Sequence, residues 1–179
     1  RGRIDASIAT FFGVQSGLAM GSVYLCGSEE QKQEWLPAMH ELKKIGAFGL
    51  TEPEVGSGAA GGLTTTVKRT ESGWVLNGQK KWIGNATFAD LIIIWARDVD
   101  GEEVKGFIVR KDTPGMLVEK IKGKMALRIV QNALITFTDC IVQENDRLPG
   151  ANSFKDTAKI LQMTRAGVAW MAVGCARGA

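Results

Sequence analysis

The stretch "GWVLNGQKKWIGN", residues 73–85, decides the fold class of this 179-residue chain. Aromatic and β-branched residues alternate with polar ones in it, and Gly or Asn stands at its ends, as is typical of strands. Inside it, Asn77-Gly78 is the residue pair that tight hairpin turns favour, so we predict a β-hairpin turn there. Similar short runs precede and follow this stretch without any helical pattern between them.

Roughly seven strand-like runs occupy the middle of the chain. Strands that follow one another without intervening helices favour an antiparallel sandwich or barrel over a doubly wound parallel sheet. We therefore predict an α+β chain in which a central antiparallel β-sandwich or barrel-like domain is flanked by helices. The runs are "GAFGL", "LTTTVKR", "GWVLNGQKKWIGN", "ADLIIIWARD", "KGFIVRKD", "GMLVEK" and "NALITFTDCIV".

Both flanks of the β-rich part have helical spacing. "SEEQ", residues 28–31, fits a capping box that opens one helix, and Asn152 or Ser153 can cap another. The chain starts without Met before a buried-type segment and finishes in an apolar run, 166–176, that needs partners on all sides. We expect a fragment of a larger protein, or an assembly that covers this end. The predicted domains are 1–44, the end of an N-terminal helical domain; 45–150, a middle β domain; and 151–179, the first helix of an incomplete C-terminal helical domain.

Composition excludes several classes of protein. Hydrophobic residues make up 45% and charged residues 23%, which is ordinary for a globular domain. The net charge of +3 is spread without a run of one sign, so no nucleic-acid partner is indicated. The three cysteines lie far apart, which predicts no metal site, no disulfide framework and a reducing compartment. Residues 6–28 carry no charge, but Gln15 and several glycines interrupt them, so we predict a buried helix and no membrane span.

The stretch "GSGAAG", residues 56–61, matches the G-x-G-x-x-G pattern of dinucleotide-binding loops. That fingerprint also needs a helix after the loop and an acid about 20 residues further on. Here a strand-like run follows, and the position of the acid falls near Gly78. A dinucleotide fingerprint is therefore rejected, and the absence of G-K-[ST] excludes a P-loop. The loop could still hold an anion through its backbone N–H groups, or be a plain surface loop.

Two motifs together give the chain a family resemblance. "FGLTEPEVGSG", residues 48–58, followed by "NGQKKWIGN", residues 77–85, resembles the T-E-P-x-x-G-S-D loop and the W-I-[TSG]-N strand end of the acyl-CoA dehydrogenase and acyl-CoA oxidase family. "YLCGSEEQKQEWLP", "GFIVRKDTPG" and "DRLPGANSFKDT" extend the similarity over nearly the whole chain. The last run is most similar to the branch with plant short-chain acyl-CoA oxidases and glutaryl-CoA dehydrogenase-like bacterial enzymes.

The resemblance implies a cofactor, FAD, bound between the β domain and a C-terminal helical domain. By that match, the Thr51 hydroxyl bonds the isoalloxazine edge and Trp82 packs on the flavin. A flavin needs such a flat apolar surface and a few fixed donors. Ser57 and Arg165 match positions near the acyl-CoA. The implied flavin-contacting residues are Phe48, Leu50, Thr51, Gly56, Ser57, Trp82, Ile83 and Gly84.

The resemblance also implies an activity. Such an enzyme oxidises the α,β bond of an acyl-CoA thioester to a 2-enoyl-CoA in fatty acid β-oxidation. Its catalytic glutamate lies beyond residue 179, so no residue here is assigned as catalytic, and Glu52 is expected to have a structural role. Two alternatives stay open: an acyl-CoA oxidase that passes electrons to oxygen, and a non-catalytic β-domain binding module.

Partners and compartment follow from the same resemblance. The expected partners are the acyl-CoA substrate, an electron-acceptor flavoprotein or oxygen, and further copies of the chain in a homotetramer or dimer. The expected location is the bacterial cytoplasm, or the mitochondrial matrix or peroxisome in a eukaryote.

Three positions depart from the family pattern. Gly58 replaces the usual Asp of the loop, which predicts weaker binding of FAD. Gly84 replaces a Thr or Ser, which opens space beside the flavin and would suit an oxidase. Ala9 stands where glutaryl-CoA enzymes usually carry Arg, so a monocarboxylic acyl-CoA substrate is expected.

Overall fold

The fold is a curled sheet with helices on one side, and all seven predicted strands form. The computed structural model describes residues 2–56 and 62–179. The helices are α1 Ala6–Cys26, whose middle Gly13–Met20 is π-helical, α2 Glu29–His40 and α3 Phe154–Gly178. The strands are β1 Gly46–Gly49, β2 Thr66–Thr70, β3 Gly73–Gly84, β4 Leu91–Asp98, β5 Val104–Arg110, β6 Met116–Lys120 and β7 Asn132–Val142.

Strand pairing confirms the α+β class and the barrel-like curl. The order is β1-β4-β2-β3-β7-β6, and β5 pairs with the other edge of β4. Four of these pairings are antiparallel, namely β2–β3, β3–β7, β4–β5 and β6–β7. The pairings of β1 and β2 with β4 are parallel, which the sequence pattern alone did not indicate.

Strand β4 separates two hydrophobic cores. Residues 91, 93 and 95 pack into the core shared with α1, α2 and α3, whereas residues 92, 94 and 96 pack inside the curl of the sheet. All six are essentially inaccessible to water. A strand that is buried on both faces reads as a continuous apolar run, and "LIIIWA" is such a run.

Helix α1 is fastened to the sheet by one buried amide, that of Gln15. Its Nε2 donates to the carbonyl oxygens of Met39 and Lys44, and its Oε1 accepts from the Gly46 amide. Gly46 permits this close approach, because a Cβ there would lie 2.6 Å from the Cβ of Ala19 on α1. The polar residue that interrupts the apolar stretch is therefore the residue that docks the helix on β1.

Substitution of Gln15 by Leu tests this docking. The variant leaves the Gly46 N–H and the Lys44 carbonyl without their Gln15 partner, whereas the Met39 carbonyl keeps the Leu42 amide as a donor. Each buried unpaired polar group costs about 1–3 kcal/mol. We expect the free energy of unfolding to fall by about 2–4 kcal/mol, measured by urea denaturation. Ser16→Ala is the control, because the Ser16 hydroxyl bonds only within its exposed helix turn. A loss below about 1 kcal/mol for Q15L would contradict the role given to Gln15.

By length and composition alone, α1 could also cross a membrane, with a hydropathy of 1.3 in its most apolar window. A core helix of a globular protein passes the same test. Here Gln15, Ala19 and Val23 of this helix are buried against the protein.

The predicted hairpin turn at Asn77-Gly78 is wrong. The turn between β2 and β3 lies at residues 71–72, since Thr70 pairs with Gly73, and β3 continues through Asn77. The Asn77 side chain instead bonds Asp139 of β7, at a β-bulge. Gly78 has a φ of +132°, and a Cβ there would lie 2.6 Å from Thr65. The Asn-Gly pair marks a special backbone position, but β3 continues through it, opposite a bulge whose extra residue lies in β7.

Candidate functional site

Trp82 is presented to solvent by a second β-bulge, this one in β3. Lys80 pairs with Ile135 and Ile83 with Ala133, so three residues of β3 advance against two of β7. The extra residue gives Trp82 a φ of +64°, which is unfavourable for a residue with a bulky side chain. Its indole is 52% exposed. Strained, exposed aromatic residues of this kind cluster at functional sites.

Hydrogen bonds from outside β3 fix the Trp82 bulge. The Trp82 carbonyl accepts from the side-chain amide of Asn132, 2.8 Å away. The side-chain oxygen of Asn132, Oδ1, accepts from the Lys124 ammonium group. Lys124 also donates to the backbone carbonyls of Leu127 and Val130. The loop between β6 and β7 is thereby tied to the bulge, and the backbone beneath the indole is held in place.

Thr51 lies on the adjoining segment, just after β1. The Lys81 amide donates to the Thr51 carbonyl over 2.8 Å, so Thr51 is coupled directly to the bulge that carries Trp82. The Thr51 residue is partly exposed. Within residues 2–56 and 62–179, no partner of its hydroxyl is found.

Beneath these two residues lies a fully buried ion pair between Glu52 and Lys80. The Lys80 Nζ stands 2.7 Å from Glu52 Oε1 and also donates to the Leu50 carbonyl. Both side chains are 0% exposed. Glu52, expected from sequence to have a structural role, is therefore enclosed in the protein with its charge compensated.

Burial and charge act in opposite directions on this pair. Burial disfavours the Glu52 carboxylate, but the Lys80 ammonium and hydrogen bonds from Lys80 and Thr64 outweigh it and lower the pKa of Glu52 to about 2. Burial lowers the pKa of Lys80 to about 8, although the Glu52 carboxylate favours its charged form. Both groups are therefore ionised at neutral pH.

The Glu52 carboxylate also closes the base of the Gly-rich loop. Its Oε2 accepts from the amide and the hydroxyl of Thr64, each over 2.6 Å, and its Oε1 accepts from the Thr65 amide. On the near side of the loop, the Glu52 amide donates to the Val55 carbonyl. Residues on both sides of the loop are therefore hydrogen-bonded to Glu52, one side through its carboxylate and the other through its backbone amide.

A cavity of about 520 Å³ lies between α1 and α3. Its volume is in the range of small-molecule pockets. Small residues such as Ala9, Gly13 and Gly17 line one wall, and Met163, Trp170 and Met171 line the other. Val14 belongs to the same lining and reaches the end of β3, because a Cβ on Gly84 would lie 3.5 Å from it. The cavity thus adjoins the strand end that carries Trp82.

The predicted site residues fall into distinct groups. Thr51 and Trp82 lie together, and Gly84 lies at the cavity side of the same strand end. The side chains of Phe48, Leu50 and Ile83 are buried in the cores, which leaves only their backbone for a ligand. Gly56 is exposed with open space around it, whereas Ser57 and Gly58 lie outside the described residues. Arg165 is exposed on α3 and is not among the described residues that line the cavity.

Sequence reasoning missed Lys80, Thr64 and Thr65. A signal for Lys80 was present, because it has the same strand parity as the apolar Trp74 and Leu76 and so faces inward with them. A lysine that faces the interior requires a counter-charge, and the Glu52 carboxylate supplies it.

Comparison with known proteins places the chain among flavin-dependent relatives. Residues 47–140 match the family described as acyl-CoA dehydrogenase, middle domain, and residues 1–43 match acyl-CoA dehydrogenase, N-terminal domain. The short-chain specific acyl-CoA dehydrogenase, mitochondrial, of Homo sapiens is 36% identical over 179 residues, which is 97% of this chain and 43% of that protein.

Solved structures agree with this match. Glutaryl-CoA dehydrogenase from Mycobacterium smegmatis superposes with a TM-score of 0.92 at 40% identity, over 97% of this chain and 44% of that one. A glutaryl-CoA dehydrogenase from the same organism in complex with FADH2 superposes with a TM-score of 0.90 at 40% identity, over 94% and 43% of the two chains. This chain therefore spans less than half the length of these relatives.

Proposed function

The chain belongs to the acyl-CoA dehydrogenase family, and from that premise we propose that it forms the flavin-binding part of an FAD-dependent oxidoreductase. The whole protein would oxidise the α,β bond of an acyl-CoA thioester to a 2-enoyl-CoA. One observation carries the proposal: a strained bulge holds Trp82 exposed, and the preceding residue, Lys81, is hydrogen-bonded to the backbone of Thr51. No residue of this chain is assigned as the catalytic base.

The residues present fit a flavin. Trp82 offers a flat apolar face for the ring system, and the Thr51 hydroxyl can donate to a ring nitrogen or oxygen. The backbone of Ile83 and Gly84 can meet the ring edge. On the strength of the family resemblance, Gly56 and Ser57 are proposed to approach the pyrophosphate, and Phe48 and Leu50 to contact the flavin through their backbone. Bound FAD would supply the two-electron acceptor that none of the amino-acid side chains provides. The Thr51 donor favours the more electron-rich reduced ring.

The cavity between α1 and α3 is the proposed place for the acyl chain. Its lining is mostly small and apolar, and it opens beside Gly84 and hence beside the proposed flavin surface. Ser57 and Arg165 are proposed to lie near the CoA moiety, on the strength of the family resemblance.

Ala9 makes a prediction about substrate choice. It lines the cavity but has no charge to pair with a distal carboxylate. We expect the whole protein to turn over butyryl-CoA with a kcat/KM at least about tenfold above that for glutaryl-CoA, since a buried unpaired carboxylate is costly. Ala9→Arg should reverse part of this preference, and Gln33→Arg, on the exposed face of α2 and outside the cavity lining, is the control. Comparable kcat/KM values for the two thioesters in the unaltered protein would contradict the prediction.

The experiment that tests the function is a visible absorption spectrum. The purified whole protein should show a flavin spectrum that bleaches when a short straight-chain acyl-CoA is added without oxygen. A protein that stays colourless with added FAD would contradict the proposal and favour the second candidate, a non-catalytic β-domain binding module.

The acyl-CoA oxidase alternative rests on Gly84. A Cβ there would meet nothing closer than 3.5 Å, so the glycine leaves room beside the proposed flavin edge. Rapid reoxidation of the bleached protein by air would favour an oxidase, whereas slow reoxidation would favour transfer of electrons to an acceptor flavoprotein. A homotetramer or dimer, and a location in the bacterial cytoplasm, mitochondrial matrix or peroxisome, complete the proposal.

A further inference from the structure

Three separate segments of the chain converge on the Glu52–Lys80 pair. The first is residues 50–52, which supply the Leu50 carbonyl and Glu52 itself. The second is residues 64–65, whose two amides donate to the Glu52 carboxylate. The third is β3, which supplies Lys80. Of the residues proposed to contact the flavin, Thr51 directly precedes Glu52 and Trp82 follows Lys80 by two residues.

The other hydrogen bonds found between these segments among the described residues each involve a more exposed residue, and the Thr65 hydroxyl donates to the carbonyl of exposed Gln79. The Lys81 amide bonds the Thr51 carbonyl, but both residues are partly exposed. Lys80 and Glu52 lie directly below, 0% exposed, and their charges cannot separate without exposing or stranding one of them. The ion pair between Glu52 and Lys80 thereby fixes the distance between Thr51 and the Trp82 bulge, because the pair has one low-energy arrangement.

We propose that Lys80 and Glu52 are positioning residues, which hold the Thr51 segment and the Trp82 bulge in the relative placement that binds the flavin. The inference rests on the proposed function. Neither side chain touches the ligand; the pair acts through the backbone neighbours Thr51 and Lys81. Removing the outer-shell partners of metal sites costs about 10–100-fold in affinity, and we expect a loss of similar size here.

The double variant K80M/E52Q separates positioning from stability. It removes both charges, so no buried charge is stranded, while the amide oxygen introduced at position 52 can still accept from one of the two backbone amides that the carboxylate held. We expect it to recover most of the stability that K80M loses, yet to bind FAD at least about tenfold more weakly than the unaltered protein. Leu148→Ala is the control: Leu148 is 0% exposed in the core, so the variant loses stability without change in the FAD dissociation constant. If FAD affinity returned together with stability in K80M/E52Q, the positioning role would be overturned.

A second readout needs no flavin. Hydrogen exchange of the Lys81 amide reports the bond to the Thr51 carbonyl. We expect this amide to lose protection in K80M/E52Q by more than the change in global stability explains, whereas L148A changes it only in step with global stability. Unchanged protection would overturn the inference. If the unaltered protein bound no FAD, the proposed function would fail, and this measurement would still decide whether the pair fixes the two segments.

Discussion

The free energy of unfolding of the K80M variant should be about 3–5 kcal/mol lower than that of the unaltered protein. The substitution leaves the Glu52 carboxylate fully buried without its counter-charge, and the Leu50 carbonyl loses its donor. Chemical denaturation followed by tryptophan fluorescence measures the change. Lys43→Met is the matched control, because Lys43 and its ion-pair partner Glu41 are both largely exposed. Exposed ion pairs contribute at most about 1 kcal/mol to stability. Equal, small effects of the two variants would refute the energetic role of the buried pair.

The same pair predicts a dependence on pH. The folded-state pKa of Glu52, about 2, lies below its ordinary value of 4.5, so the carboxylate stabilises the fold fully above pH 4.5. This contribution is lost as the pH falls from 4.5 towards 2. E52Q should lack this part of the acid destabilisation, which a comparison of unfolding free energies at several pH values would reveal.

Replacement of Trp82 by Gly should weaken the binding of FAD while it leaves the free energy of unfolding nearly unchanged. Trp82 is held at a φ of +64°, a conformation that Gly adopts without strain, and half of its side chain is exposed. We expect the free energy of unfolding to change by less than about 1 kcal/mol, since relief of strain offsets the lost contacts. Stacking of an aromatic side chain on a base contributes about 1–3 kcal/mol, so FAD should bind roughly 5- to 150-fold more weakly.

Trp82→Phe is the control for this second prediction. Phe keeps a flat ring at the same strained position and should retain most of the affinity for FAD. FAD titrations of the W82G and W82F variants, followed by flavin fluorescence, measure both. Unaltered affinity in W82G would show that the exposed indole is not part of the flavin surface.

Most of the β domain could be predicted from sequence because strands leave local traces. The seven strand runs and the Ser28 capping box were all predicted, and both follow from interactions within a few residues. The parallel pairings of β1 and β2 with β4 could not be read in this way. Pairing partners are chosen by contacts between segments far apart in the chain, which leave no pattern within either strand.

The candidate site also has one part that could be predicted from sequence and another that depends on tertiary contacts. The motifs around Thr51 and Trp82 are contiguous in sequence, so the family and the proposed flavin-contacting residues could be found from them. The sequence by itself therefore determined the fold class and the family. Only the tertiary structure decided that Asn77-Gly78 lies within β3 opposite a bulge in β7, that Trp82 is turned outward, and that Lys80 meets Glu52 in the interior. Each of these depends on burial and on a partner at least 28 residues away, where charge and strain are settled by packing.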